Sequence, residues 1–113
     1  MTDYTNRAYW ENLVKMSLSR YFVMYALSQK PMHGYDISKW IGEVTQGCCR
    51  PTEGSLYPML KEFESGGYVT SQVVLVSGRE RKIYTLTERG LEALRVGKEV
   101  WGSATDVVQG TLE

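Results

Sequence analysis

The change of hydrophobic period at Gly66-Gly67 constrains the fold more than any other feature of this sequence. Before the two glycines, apolar residues recur every three or four positions, which predicts amphipathic helices. After them, Tyr68 to Val76 is rich in β-branched residues, Ser77-Gly78 is a turn signal, and Arg79 to Leu86 predicts a returning strand. The sequence therefore predicts a helical unit followed by one β-hairpin with a charged second arm.

Three helices are predicted before the hairpin. The first covers Trp10 to Leu27, and its second half is apolar on almost every side, as in a helix buried among several neighbours. The second is expected from about Tyr35 to Glu43. The third lies between Pro51 and Ser65. Pro58 is awkward in its interior but is tolerable if the regular turns start late, and Gly54, four residues earlier, removes a side chain from the crowded spot. Its core-facing stripe consists of Leu56, Met59, Leu60 and Phe63.

A long helix is predicted after the hairpin, capped by Thr87 and continuing to about Leu112. Its apolar residues repeat by threes and fours as in a coiled-coil seam, with Lys98 and Thr105 as polar exceptions. Because one domain of this size cannot cover both sides of its first and last helices, we expect a second copy of the chain to cover them. The residues expected at this dimer interface are Trp10, Leu91, Leu94, Trp101, Val108 and Leu112.

The order of three helices, a hairpin and a long helix is that of a winged helix-turn-helix. We therefore expect an α+β, mostly helical fold with an N-terminal helix and a long C-terminal dimerisation helix. Residues 1–90 are predicted to form the winged-helix DNA-binding domain, and residues 91–113 the dimerisation helix, both within the same compact domain.

The charge of the chain limits its possible partners. The formal net charge is zero, from 13 basic and 13 acidic residues, which argues against a nonspecific polyanion binder. A net charge of zero is still compatible with a specific DNA binder whose positive charge is local. Such a local group exists, because Arg79, Arg81 and Lys82 fall within four positions. The most apolar stretch, Tyr21 to Leu27, is too short to span a bilayer. With no signal-peptide pattern at the start, a cytoplasmic location without membrane contact is predicted.

The predicted third helix carries the first set of candidate DNA contacts, because a recognition helix enters the major groove by its N-terminal residues. Thr52 and Ser55 could donate to phosphates or bases, Gly54 allows close backbone approach, and Lys61 could reach a phosphate or a guanine. The alternative is that Thr52 is only a helix cap and Lys61 a solvated lysine. Their joint position opposite the apolar stripe favours DNA contact. The full candidate set on this helix is Thr52, Gly54, Ser55, Tyr57, Pro58 and Lys61.

The hairpin carries the second set. Arg79, Arg81 and Lys82 near its tip could straddle phosphates or enter the minor groove. The alternative is an edge strand whose charges prevent aggregation. Contact with DNA is favoured because this hairpin follows a candidate recognition helix.

Several motifs together resemble the PadR family of bacterial transcriptional regulators, and they cover roughly residues 33–90. The single C-terminal helix is similar to the short subgroup of that family. The resemblance implies a homodimeric repressor that binds an inverted-repeat operator. Glu62 is a departure, because many relatives carry a basic residue there, which puts a contact from this position in doubt. The matching motifs are His33-Gly34-Tyr35, Gly54 to Lys61, Phe63-Glu64, Gly67, and Gly78 to Gly90.

Trp101 lies eleven residues after Gly90, a spacing that resembles that of a tryptophan in multidrug-sensing members of the family. The resemblance implies a site where the two indoles of a dimer sandwich flat aromatic drugs. An indole on the helix seam can stack on its symmetry mate or on an intervening planar ligand. Simple interface packing is the alternative. Lys98 would repel a cationic drug and could suit a carboxylate-bearing aromatic. The residues expected at such a ligand site are Trp101, Lys98, Thr105, Lys15 and Ser19.

Other reactive residues support weaker hypotheses. His33 is the only histidine, so a metal site is not expected, and a hydrogen-bonding role at a helix start is favoured. Cys48 and Cys49 do not make a disulfide framework, and they are interpreted as small loop residues, with thiol sensing as a minority hypothesis. The sequence has no recognisable catalytic constellation, so neither an enzyme nor a cofactor is expected. The alternative function is a winged-helix protein-interaction module that does not bind DNA.

Overall fold

The chain folds into helices packed on a small antiparallel sheet, as a computed structural model of residues 1–112 shows. The predicted order of elements and the mostly helical α+β class are confirmed. One short strand, β1, was not predicted, because two residues are too few to show a hydrophobic period. The elements are α1 Arg7–Gln29, β1 Met32–His33, α2 Gly34–Val44, α3 Glu53–Ser65, β2 Val69–Val76, β3 Arg79–Leu86 and α4 Glu88–Gln109.

The hydrophobic core lies where α1, α2, α3 and the sheet meet. The C-terminal half of α1 contributes Val23, Ala26 and Leu27, and α2 contributes Ile37 and Ile41. All four residues of the predicted α3 stripe are buried. Burial of this stripe fixes which face of α3 packs inward and therefore which face it presents to solvent.

The sheet has the strand order β1-β3-β2, and every pair is antiparallel. Val76 pairs with Arg79, which leaves Ser77 and Gly78 as a two-residue turn. Both have positive φ angles, 52° and 78°, as the type I′ hairpin turn requires. The predicted turn is thus confirmed. We call the part of the β2–β3 hairpin around this turn, residues 73–82, the wing.

Helix α3 lies within the segment predicted for it, between Pro51 and Ser65. It starts at Glu53, so its regular turns begin well before Pro58 and do not start late. A proline ring in a helix crowds the carbonyl four residues earlier, which here belongs to Gly54 in the first turn of α3. A Cβ placed on Gly54 would meet only the Thr52 hydroxyl oxygen, at 3.9 Å. The helix ends as predicted at the glycine pair, where Gly67 adopts a φ of 81°.

Helix α4 starts at the predicted cap but ends sooner than expected. The Thr87 hydroxyl accepts a hydrogen bond from the Gly90 N–H (3.1 Å) and donates one to the Gly67 carbonyl (2.7 Å). The last helical residue is Gln109, so the expected continuation to Leu112 is wrong. Leu112 has a φ of 66° and lies beyond the helix, which removes it from the predicted seam. Glu113, the last residue of the predicted dimerisation segment, lies outside the described residues.

The second half of α4 has almost no support from its own chain. From residue 96 to residue 109, every residue except Gly97 and Gly102 is exposed. A Cβ on either of those glycines would have nothing within 4 Å. Within residues 1–112, no helix is long and apolar enough to cross a membrane.

Candidate nucleic-acid interface

The solvent-facing side of α3 carries the predicted recognition residues. All six are exposed, and they lie opposite the buried stripe. The side chain with the largest apolar area among them is Tyr57, which is 44% exposed. The face that points away from the core therefore contains hydroxyl groups, an aromatic ring and one cation, Lys61.

Thr52 caps α3. Its hydroxyl oxygen accepts a hydrogen bond from the Ser55 N–H (3.2 Å), and the Ser55 hydroxyl donates back to the Thr52 carbonyl (3.1 Å). Thr52 is therefore a helix cap, and its contact with DNA remains a prediction. Because the N-terminus of α3 is exposed, its partial positive charge remains available to an anion.

Two adjoining clefts bring the helix and wing candidates together. The first, of about 560 Å³, lies between the start of α2, the start of α3 and the wing, and Tyr57, Arg81 and Lys82 line it. The second, of about 520 Å³, is lined by Tyr57, Lys61 and Lys82 among others. Arg79 borders neither of these two clefts and lies at the wing turn. The structure thus groups four of the predicted residues on one side of the molecule.

Lys82 is tied to α3 by an ion pair. Its Nζ lies 3.6 Å from Glu64 Oε1, and the Ser71 hydroxyl donates a hydrogen bond to the other oxygen of Glu64. The Ser71 hydrogen bond, helped by the charge of Lys82, holds the pKa of Glu64 below its ordinary value. The Lys82 ammonium also lies 5.6 Å from the centre of the Tyr84 ring, and burial raises the pKa of Tyr84. Lys82 therefore fixes the wing against α3, and a phosphate would have to compete with Glu64 for it.

The other candidate cations are free of such partners. Among residues 1–112, Lys61, Arg79 and Arg81 form no ion pair. Glu62, the residue that departs from the family pattern, accepts a hydrogen bond from Arg20 of α1 at 3.2 Å. The acidic side chain at this position thus joins α3 to α1. The three unpaired cations are the ones that can neutralise an anion without first losing a carboxylate.

Gly34 sets the position of Tyr57. A Cβ on Gly34 would lie 2.5 Å from the Tyr57 hydroxyl oxygen, so the absence of a side chain lets the ring pack over the start of α2. We expect Gly34→Ala to displace Tyr57 while the fold survives, because the ring is partly exposed and can rotate. The variant should lower affinity for DNA several-fold, with the midpoint of thermal unfolding nearly unchanged. In a Tyr57→Ala background, Gly34→Ala should cause no further loss of DNA affinity. Additive losses would contradict the contact between Gly34 and Tyr57.

His33 lies at the predicted helix start. It occupies the position before the first residue of α2, and its Nε2 lies 3.2 Å from Asp36 Oδ2 in the first turn. The ring borders the first cleft beside Tyr35. No group of three or more His, Cys, Asp or Glu residues within the described part of the chain is arranged to hold a metal ion.

The residues predicted for dimerisation and ligand binding are spread over α1 and α4, which pack together. Trp10 is 53% exposed and donates its indole N–H to the Tyr4 carbonyl at 2.7 Å. On α4, Leu91 and Leu94 are half-buried, whereas Trp101, Lys98, Thr105 and Val108 are exposed.

Two of the predicted ligand-site residues lie on α1. The Ser19 hydroxyl donates to the carbonyl of Lys15. Lys15 lines a separate cleft with Glu11 and Cys48. Lys15 therefore borders a cleft that the sequence did not predict. Its contribution to a ligand site around Trp101 remains a prediction.

The sequence profile of the transcriptional regulator PadR-like family matches residues 23–96, which is more than half of the chain and includes α2, α3 and the whole wing. The chain belongs to the PadR-like family. Members of this family are transcriptional regulators, so the chain is a transcriptional regulator and not an enzyme.

Individual PadR-like proteins agree with the assignment. The negative transcriptional regulator PadR of Bacillus subtilis is 28% identical over 80 residues, which make up 70% of this chain and 44% of that protein. The chain thus spans less than half the length of this relative. A transcriptional regulator of Mycobacterium tuberculosis is 29% identical over 75 residues, 66% of this chain and 67% of that protein. The crystal structure of a PadR-like regulator from Bacillus cereus superposes with a TM-score of 0.78 at 26% identity, covering 89% of this chain and 97% of that one.

Sequence reasoning missed the contacts that hold this PadR-like surface in shape. The Lys82–Glu64 pair, the Ser71 hydrogen bond and the Gly34–Tyr57 packing all join elements that are separate in sequence. One signal was present: Gly34 and Tyr57 both fall within motifs that match the family. Without the fold, nothing in the sequence showed that the two residues touch.

Proposed function

We propose that the chain is a homodimeric repressor that binds double-stranded operator DNA at an inverted repeat. The observation that carries this proposal is the grouping of Tyr57, Lys61 and Arg81 on one exposed side, with α3 packed on the core behind them. Repression is carried over from the Bacillus subtilis relative, which is described as a negative regulator. In a dimer, the two recognition helices should lie about 34 Å apart, one turn of DNA.

The second half of α4 supports the dimer. Its apolar residues Val100, Val107 and Val108 are each more than 60% exposed. An exposed apolar surface of this kind is typical of a protein interface. A second copy of the chain would cover it with the same surface of its own α4. We propose residues 1–90 as the DNA-binding unit and residues 91–113 as the dimerisation segment, with Leu91, Leu94, Trp101 and Trp10 also in the interface. Leu112 also belongs to the proposed interface, although it lies beyond the end of α4.

We propose different roles for the candidate DNA-contact residues. Lys61, Arg79 and Arg81 reach phosphates or base edges, because no carboxylate in the described chain holds them. Tyr57, Pro58, Ser55 and Gly54 form the surface that faces the major groove. Thr52 acts through the α3 cap and Lys82 through the wing position, as their hydrogen bond and ion pair indicate.

Charge removal tests these contacts. We expect Lys61→Ala or Arg81→Ala to weaken operator binding about tenfold, since each dimer loses two charged contacts. The slope of log affinity against log salt concentration should become shallower by about 1.8, because each phosphate contact contributes about 0.9. Gel-shift titrations over a salt series measure both values on an operator selected from random DNA.

The control for charge removal is Arg95→Ala, which removes a cation from the polar face of α4, where Arg95 pairs with Glu92. It should bind as the unsubstituted protein does. If no DNA is selected at all, the alternative of a protein-interaction module replaces the DNA proposal. If DNA is selected but both site variants bind normally, the contact assignment is wrong.

We further propose that an aromatic effector binds beside Trp101, with Lys98 and Thr105 as polar neighbours and Lys15 and Ser19 as contributors from α1. A planar aromatic carboxylate should quench tryptophan fluorescence, and the Trp101→Phe variant should lose the quenching. The variant retains Trp10 and Trp40, so residual fluorescence reports on the fold. Equal quenching in both proteins would place the ligand elsewhere.

A further inference from the structure

The turn between α2 and α3 holds the only two cysteines of the chain, and they are neighbours. The structure joins their sulfur atoms as a disulfide. We propose that this pair is a thiol–disulfide exchange site that reacts at Cys48 with a low-molecular-weight thiol. The sequence alone favoured the interpretation of two small loop residues, whereas three structural observations support an exchange site.

The first observation is the unequal exposure of the two sulfur-bearing residues. Cys49 is 1% exposed, whereas Cys48 is only partly buried. A thiolate must reach the sulfur that it attacks, so access selects between two otherwise equivalent atoms. The nucleophile can approach Cys48 from solvent, and Cys49 is the leaving group inside the protein.

The second observation is a cleft that leads to Cys48. It has a volume of about 460 Å³ and lies between α1 and the turn, with Glu11, Asn12 and Lys15 on its α1 side and Gly47 beside the cysteine. Charges of both signs line it, which suits a polar, zwitterionic thiol more than an apolar one. The lysine also favours the approach of a thiolate.

The third observation is that the two cysteines are held by different parts of the molecule. The Cys49 N–H donates to the Thr45 hydroxyl at 3.2 Å, and that hydroxyl donates to the Ile41 carbonyl at 2.7 Å. Cys48 instead faces α1, where its Sγ lies 3.9 Å from the Glu11 carbonyl oxygen. When the bond between the sulfurs breaks, Cys49 can stay with α2 while Cys48 moves.

The reaction balances with two thiols. A thiolate attacks Cys48 Sγ, the bond between the cysteines breaks, and its electron pair leaves with Cys49 Sγ, which then takes a proton. Cys48 now carries a mixed disulfide. A second thiolate attacks the outer sulfur of that adduct, and releases Cys48 as a thiol together with the small-molecule disulfide. Two thiols are oxidised and one protein disulfide is reduced.

Oxidised glutathione serves as the probe for the accessible sulfur, because the one remaining protein thiolate attacks the glutathione disulfide and releases glutathione. In Cys49→Ser protein treated with oxidised glutathione, intact mass should show one adduct per chain. In Cys48→Ser protein the folded chain should react at least about tenfold more slowly, because the buried Cys49 reacts only after local opening. In urea, both variants should react alike, which shows that each remaining cysteine is chemically competent.

Two results would overturn the proposal. One is equal reaction of the two folded variants. The other is an unsubstituted protein whose mass never shows the loss of two hydrogens after exposure to oxidised glutathione. Neither measurement involves DNA, so both can fail or succeed independently of the proposed function.

A consequence for operator binding rests on the proposed function. An adduct on Cys48 would fill the cleft between α1 and the turn, and the turn leads within three residues of Cys49 to the Thr52 cap of α3. We expect the glutathione adduct of Cys49→Ser to bind operator about three- to thirtyfold more weakly than the same variant without adduct. Equal affinities would overturn this coupling, and a variant that binds no DNA before treatment would instead count against the proposed function.

Discussion

The Gly90→Ala substitution is expected to lower the free energy of unfolding by about 3 kcal/mol, although it adds only one methyl group. A Cβ at this position would lie 2.2 Å from the Tyr68 carbonyl oxygen and 2.4 Å from Leu86 Cδ1. The carbonyl belongs to the backbone and accepts a hydrogen bond from Thr87, so it cannot rotate away as a side chain could. The start of α4 must therefore move, and the Thr87 cap is strained with it.

The size of the effect can be measured by thermal unfolding. A loss of about 3 kcal/mol corresponds to a fall of roughly 10 °C or more in the midpoint for a domain of this size. Gly54→Ala is the matched control, since it makes the same change in the first turn of α3, where a Cβ has no close neighbour. It should be neutral, or stabilising by up to about 1 kcal/mol. Equal midpoints for the two variants would show that the α4 junction is not packed as described.

The second large effect is expected from Val108→Asp, which places a carboxylate in the proposed dimer interface. The residue is 62% exposed in one chain, so the fold of the monomer should tolerate the change. In a symmetric dimer the substitution buries two unpaired charges, which dissociates the subunits. Operator affinity should fall at least about 100-fold, because two linked contacts with DNA become two independent ones.

Gln109→Glu provides the control for Val108→Asp. It adds a negative charge to the neighbouring residue, which continues the polar face of α4 formed by Glu92, Arg95, Glu99 and Asp106. Sedimentation equilibrium should show monomers for Val108→Asp and dimers for Gln109→Glu. If Val108→Asp remains a dimer with normal operator affinity, α4 does not form the interface.

The features that the sequence predicted correctly are those with a strong local signal. The α3 stripe could be read from four apolar residues at helical spacing, and the wing from β-branched residues around Ser77-Gly78. Helix boundaries were less certain. Pro58 is compatible with a late start of α3, but the helix already begins at Glu53. Apolar spacing suggested that α4 reaches Leu112, whereas the backbone turns at Gly110.

The geometry of the candidate site depends on distant contacts that no local pattern encodes. The prediction that Lys82 contacts DNA treated it as equivalent to Arg81, its neighbour in sequence. Alternation along β3 sends the two side chains to opposite faces of the strand, and only Lys82 meets Glu64 of α3. Sequence therefore identified which residues are charged, and the packing of the strand on the helix decides which charges are already neutralised.

The double hydrogen bonding of Thr87 has a mechanical consequence. It joins the first turn of α4 to Gly67, which follows α3, and to the strand that returns from the wing, so we expect these parts to move together. Helix α4 has 22 residues and is therefore about 33 Å long. Tilting such a lever by about 5° about its anchored end displaces the free end by roughly 3 Å. In the proposed dimer, a small change in the angle at which the two α4 helices cross would therefore produce a larger change in the distance between the two α3 helices.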